Sequence, residues 1–288
     1  MRYDTGSQLP WEEPGEKSGR RVIVLGLNAF GHDAAAVLLA DGETVFAASE
    51  ERFDRVRHSA AFPARALEAA LTHAGLGPGD VDVVAFPWAR GMARGRKATY
   101  VLRGLPGTLA FLREHPDDRL PGRVAYLRAM MGGLRHHLRR AGLAAPVVRI
   151  PHHQAHAASA ALALPDGRGV VLTADGMGEW TTAATWRADE KGLRRLCAAF
   201  YPHSPGKTYA AVTQWLGFRP ESDEGKTMGL AAYGDPTHAA AAFARGLLRP
   251  DARHVLRVDT CRLGFPRRRA RLYGEAFVEA FGAAPPVY

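Results

Sequence analysis

Cysteine is nearly absent from this chain. Cys197 and Cys261 are the only two, far apart and outside any Cys-x-x-Cys pattern, so neither a disulfide framework nor a thiolate metal site is supported. No apolar run reaches the roughly 18 residues that a bilayer-spanning helix needs. The first residues carry Glu12, Glu13, Glu16 and two prolines rather than a basic and then apolar leader, and the chain reads as soluble and cytoplasmic, with no membrane partner. Lysine is scarce as well: only five of the 38 basic side chains are lysines, which leaves 33 arginines. A formal charge of +9 would ordinarily raise nucleic-acid binding. The arginines are dispersed, however, and the local clusters at Arg90 to Lys97 and Arg267 to Arg271 lack the interleaved aromatics of single-strand binders, so a nucleic-acid partner is disfavoured. The skew towards Arg, Ala and Gly reads as codon composition.

What is present is an α/β pattern in a chain of 288 residues, enough for one large or two ordinary domains. Residues 1–20 are polar and proline-containing and are expected to form a disordered leader. Val22 to Leu27, Ala34 to Leu39 and Thr44 to Ser49 read as a meander of three antiparallel strands, with turns at Asn28 to Asp33 and Asp41-Gly42. A charged loop, Glu50 to His58, leads to a helix opened by Pro63 and closed by Gly75, then to a strand at Val81 to Phe86. Arg-rich segments broken by prolines suggest a helical insertion over about 90–145, and the strand pattern resumes at Val147.

Three imidazoles then fall within five positions: His152, His153 and His156. In a helix starting near Pro151 and ending near Leu164, His152 and His156 leave one face about a turn apart, which suits two ligands of one divalent metal, and His153 points elsewhere. The competing reading is a helix start with polar residues at its N-terminus. Val170 to Gly178 is an apolar strand run ending in Asp175-Gly176, and an acid there offers a third ligand.

Laying Asn28 on Asp175, an offset of 147, puts Gly31 on Gly178 and His32 on Glu179, and the meander repeats. A strand-turn-strand unit with glycines in the turn, used twice, marks a duplicated nucleotide-clasping fold whose turn amides approach phosphate; Gly31, Gly176 and Gly178 are the candidate positions. Further on, Glu224-Gly225-Lys226-Thr227 resembles a Walker loop superficially. It is not one, because Pro220 stands where that loop requires glycine. The alternatives for this stretch are a solvated charged turn before a short helix, or an anion-handling surface in which Gly225 and Lys226 take part beside Gly206 and Lys207.

Gly31-His32-Asp33-Ala34-Ala35-Ala36, Glu50-Glu51-Arg52-Phe53 with Arg57-His58 and Phe62-Pro63, His152-His153-Gln154-Ala155-His156-Ala157, Asp175-Gly176, and Glu224 through Gly234 together resemble the O-carbamoyltransferases of nodulation-factor and antibiotic biosynthesis. The resemblance implies an actin-like fold, akin to that of the threonylcarbamoyl-adenosine tRNA-modifying enzymes. It divides the chain into a first lobe at 21–166 and a partial second lobe at 167–288. It also implies an adenylate-forming domain, absent before Tyr288, that makes carbamoyl-adenylate from carbamoyl phosphate and ATP with Mg2+. The carbamoyl group is then moved onto a hydroxyl of a sugar or natural-product acceptor. By the same resemblance His152, His156 and Asp175 match iron ligands (Fe2+), and His32 matches the transfer-site histidine. Taken by itself, His32 could equally be a turn histidine bonded to local backbone. The family's later glycine-rich block and remaining acidic ligand have no counterpart, so the chain is expected to be the front part of a longer or divided enzyme. Two rival functions share these features: the sister tRNA threonylcarbamoyl transfer, and a non-catalytic nucleotide- or metal-binding module paired with a partner subunit.

Overall fold

The computed structural model describes residues 21–89, 133–237, 247–265 and 271–285. The expected leader, the cluster at 90–97 and the insertion as far as residue 132 lie outside the described residues, as do positions 267–270 of the second basic cluster. The chain divides into two compact units, Met1–Ala85 with Leu134–Val148, and Phe86–Gly133 with Arg149–Tyr288.

In the first unit β1 (Ile23–Asn28), β2 (Ala35–Ala40) and β3 (Glu43–Ser49) form the expected antiparallel meander, with Asn28 opposite Ala35 and Ala36 opposite Ala48. Alternation decides the buried face: Ile23, Leu25 and Leu27 of β1, with Ala36 and Leu38 of β2, are buried. The loop expected at 50–58 contains a short helix, α1 (Glu51–Asp54), which Arg55 ends in the left-handed conformation. Pro63 precedes α2 (Ala64–Ala74), which buries Ala66, Leu67, Ala70 and Leu71 against β2 and β3 and ends at Gly75 with φ 66°. The N-terminus of α2 receives a buried carboxylate, since Glu50 Oε1 and Oε2 accept from the amides of Arg65 and Ala66. Its oxygens thereby satisfy two helix-start amides that have no partner within the helix. The strand β4 (Val83–Phe86) pairs with β1 in parallel, α3 (Leu134–Arg140) follows, and β5 (Val147–Arg149) completes the sheet order β3-β2-β1-β4-β5.

In the second unit α4 (His152–Leu162) starts directly after Pro151. A second antiparallel meander follows in the order β6-β7-β8: β6 (Gly169–Gly178), β7 (Thr181–Asp189) and β8 (Gly192–Phe200). Its strands sit where the offset of the first meander places them, although the β6–β7 register shifts between Ala174 and Gly178. The contacts divide the chain ahead of α4. Ala157 of α4 is buried with Val171, Ala184, Trp186 and Ala198 of the second sheet, so this helix belongs to the second unit. The chain continues through α5 (Pro205–Trp215), α6 (Glu224–Ala231), the hairpin of β9 (Leu248–Asp251) and β10 (Val255–Val258), and α7 (Glu275–Phe281). A second core joins Ala210 and Ala211 of α5 to Val258, Phe265 and Phe277. Among the described residues β6 is an edge strand, unlike its counterpart β1, and its Val170 and Leu172 are exposed. No helix among the described residues is long and apolar enough to cross a membrane.

Candidate metal centre

The proline before α4 and the small residues within it set two imidazoles one turn apart on the face that meets the end of β6. His152 Nε2 lies 2.9 Å from Asp175 Oδ2 and 3.0 Å from His156 Nε2, and His156 Nε2 is 3.8 Å from the same carboxylate oxygen. The three donor atoms fall within 4.8 Å of one another, and no other such cluster is found among the described residues. A triangle with these edges has a point roughly 2 Å from each corner, the length of a first-row metal–nitrogen or metal–oxygen bond. Two imidazole nitrogens and one carboxylate oxygen, with no thiolate, suit iron(II) or zinc and leave positions for exchangeable ligands, as in catalytic rather than closed structural sites.

The surroundings hold this arrangement in place. The His152 ring stacks on Trp88 with centroids 4.4 Å apart, and its Nδ1 faces the Pro87 carbonyl at 3.4 Å, leaving Nε2 as the ligand atom. The backbone amide of His152 donates to Glu179 Oε1 at 3.2 Å, and the same oxygen accepts from the Ala89 amide at 2.8 Å. A Cβ on Gly178 would meet His152 Cδ2 at 2.4 Å, so only glycine leaves room for the ring. Asp175 Oδ1 accepts from the Gly176 amide at 2.6 Å. The bond from His152 holds the Asp175 carboxyl far below the usual carboxylate range, aided by His156 and the Gly176 amide and opposed by burial. The same carboxylate raises the pKa of His156. The third imidazole points into the fold, as expected. His153 is 3% exposed, with Nδ1 2.9 Å from Thr173 Oγ1 and Nε2 3.0 Å from the Thr181 carbonyl, and burial lowers its pKa to about 4. It is therefore a neutral packing residue with both nitrogens satisfied.

Behind Asp175, α5 abuts β6. Ser204 Oγ donates to the Gly176 carbonyl at 2.7 Å and accepts from the Lys207 amide at 3.0 Å, capping α5. A Cβ on Gly176 would stand 3.7 Å from Lys207 Cε, so Lys207, which pairs with Glu221, is the lysine beside the Asp175–Gly176 end of β6. Lys226 instead pairs with Asp223 at 3.1 Å and is exposed, and Gly225 next to it has open space at its Cα. Gly31 is likewise in open space.

His32 lies in the first unit. Its Nδ1 is 2.7 Å from Asp33 Oδ2, and Asp33 Oδ1 is 2.9 Å from His58 Nδ1, so one carboxylate joins two imidazoles. The ring bonds to a side chain and not to local backbone. The local carbonyls, of His32 and Asp33, accept instead from Asn28 Nδ2, each at 3.0 Å. Bonding to His58 holds the Asp33 carboxyl below its ordinary range, with His32 adding to the effect and burial opposing it.

Fold and site together define a mixed α/β protein carrying a cluster of two histidines and one carboxylate with the donor set of a divalent-metal site. The chain belongs to the carbamoyltransferase family: the family model for the carbamoyltransferase N-terminus matches residues 23–257. It is 35% identical over 222 residues to protein sll1178 of Synechocystis, covering 75% of this chain and 35% of that protein. It is 27% identical over 224 residues to nodulation protein NolNO of Sinorhizobium fredii, covering 73% of this chain and 29% of that one. The chain thus spans about a third of the length of these relatives. A solved structure of YeaZ from Pseudomonas aeruginosa overlaps 64% of this chain and 69% of its own, with 16% identity and a TM-score of 0.34, too loose an overlap to carry the fold assignment.

Proposed function

We propose that this chain performs the transfer half of an ATP-dependent O-carbamoylation, moving a carbamoyl group from carbamoyl-adenylate to a hydroxyl of a sugar or natural-product acceptor. The observation that carries the reading is the convergence of His152, His156 and Asp175 in a chain of the carbamoyltransferase family. These three residues would hold a divalent ion, Fe2+ by the family resemblance, and a bound ion supplies Lewis-acid polarisation and a template for phosphate or carbamoyl oxygens. The repeated meander supports a reading of two actin-like lobes. Within the second unit, the amides of Gly176 and Gly178 at the end of β6 would approach a nucleotide phosphate, with Gly225 and Lys226 as further candidates for its anionic part; Gly31 is the candidate of the first unit. Carbamoyl-adenylate would form from carbamoyl phosphate and ATP with Mg2+ in an adenylate-forming domain or subunit outside these residues.

The side chains then divide the work. His32 accepts the proton of the acceptor hydroxyl while its oxygen bonds to the carbamoyl carbon. The bond between that carbon and the phosphate oxygen breaks, and AMP leaves with the electron pair. Such general-base catalysis contributes typically about 10² to 10⁴-fold.

The test incubates the chain with carbamoyl phosphate, ATP, Mg2+ and a panel of hydroxylated acceptors, alone and with a carbamoyl-adenylate-forming enzyme supplied in trans, with products read by mass spectrometry. The expected result is no carbamoylated product from the chain alone, product when adenylate is supplied, and loss of product in His32→Asn with adenylate still present. Absence of product from every acceptor while adenylate accumulates would overturn the reading.

A further inference from the structure

We propose that Asp33 and His58 are positioning residues that fix the His32 ring with its Nε2 as the free proton acceptor, an inference that rests on the reading of His32 as the base. In sequence His32 and Asp33 are adjacent while His58 belongs to a separate block, and the fold brings the His58 ring onto the same carboxylate.

An ionised carboxylate only accepts hydrogen bonds, so the proton in each contact sits on nitrogen. His32 Nδ1–H donates to Asp33 Oδ2 at 2.7 Å, and His58 Nδ1–H donates to Asp33 Oδ1 at 2.9 Å. Which ring nitrogen carries the proton is set by the bond the other makes, so Asp33 leaves the lone pair of a neutral His32 on Nε2. The His32 side chain is 80% exposed, and the bond to Asp33 is what restrains its ring.

The carboxylate itself is held firmly. Asp33 has φ 52°, in the left-handed region that Asp adopts more readily than most residues, and the two bonds from Asn28 Nδ2 clasp the turn. The loop carrying His58 is stapled to the turn by backbone, with Phe30 N donating to the Ala60 carbonyl and Ala34 N to the Ser59 carbonyl. On its other side the His58 amide donates to Glu51 Oε2 at 3.0 Å, and Ser59 Oγ, buried, donates to Asp54 Oδ2 at 2.6 Å. Backbone bonds already dock loop to turn, so the Asp33 carboxylate is not needed for docking. Its remaining use is to orient two rings, and the second ring fixes the carboxylate that orients the first.

The test reads the tautomer and the transfer rate separately. Side-chain 15N spectra of the 288-residue chain, recorded above about pH 7.5 where an ordinary imidazole is neutral, are compared with those of Asp33→Asn, His58→Ala and His58→Gln. The expected result is an Nδ1–H tautomer for His32 in the natural chain, lost in Asp33→Asn, weakened in His58→Ala and restored in His58→Gln, whose amide still donates to Asp33. An Nε2–H tautomer in the natural chain, or no change in Asp33→Asn, overturns the proposal. In the transfer assay with supplied carbamoyl-adenylate, Asp33→Asn should lower kcat roughly tenfold or more, leave the acceptor KM unchanged, and cost nothing further on top of His32→Asn. Unchanged kcat in Asp33→Asn beside a collapsed His32→Asn would also overturn it. Full transfer by His32→Asn would overturn the base assignment and with it any catalytic use of the pair, while the tautomer result separates that failure from a failure of positioning. If Asp33→Asn does not fold, His58→Ala carries both readouts.

Discussion

Gly178 sits so close to His152 that a Cβ on the glycine would stand 2.4 Å from the imidazole Cδ2 and 2.8 Å from the histidine Cβ. A strand residue therefore sets the position of a helix-borne imidazole. Gly178→Ala should push the His152 ring off Asp175 while leaving the fold intact. The expected effect is a loss of roughly 10- to 100-fold in metal affinity, the range seen when residues supporting metal ligands are altered, with an unchanged circular dichroism spectrum. Unaltered affinity would show that the ring has another place to go.

Gly206 makes a similar approach to backbone. A Cβ there would lie 2.6 Å from the Gly176 amide nitrogen and 2.7 Å from the Asp175 carbonyl carbon. An exposed glycine in a helix normally gains up to about 1 kcal/mol on replacement by alanine. Here the sign should reverse, because α5 must move away from β6, with an overpacking cost of about 1–3 kcal/mol. Denaturant titration of Gly206→Ala decides between the two signs.

The acid side of the stability profile should begin with histidine. The His137 ring stacks on Phe62 with centroids 5.0 Å apart, and burial lowers its pKa from the ordinary 6.5, with His136 and Arg140 adding to the effect. Between the lowered value and 6.5 the unfolded chain binds more protons, so this contribution is fully present above about pH 6.5 and fades as pH falls below it. Asp33 and Asp54, both lowered, contribute stability that is lost further into the acid range. His137→Phe keeps the stacking and removes the titration, so its melting temperature should fall less than that of the natural chain on acidification from about pH 7 to 5.5. Parallel melting curves for the two would contradict this.

That His152, His156 and Asp175 would converge could be read from sequence because each depends on local rules. A proline fixes where α4 begins, the helix period puts His152 and His156 on one face, and an apolar run ends at Asp175. The repeated meander was legible for the same reason, since strand alternation and turn glycines recur at one offset. What supports the site was not legible. Trp88 reaches His152 from a distant strand end, and Glu179 bonds the amides of Ala89 and His152 from the turn after β6. These are tertiary relationships with no sequence period. The packing of α4 on the second sheet through Ala157 and His153 was not legible either, because alanine carries no sign of which sheet it will meet. Arg55 ends α1 at φ 61° without a glycine to announce it, which hid that helix inside a charged stretch.

The most direct measurement is metal content and affinity of the anaerobically prepared chain beside the His152→Ala, His156→Ala double variant in the same neutral buffer. The expected result is one divalent ion per natural chain, lost in the double variant and released on acidification as the imidazoles protonate. Equal metal content in the two proteins would contradict the metal centre and leave His152 and His156 as ordinary residues of a helix start.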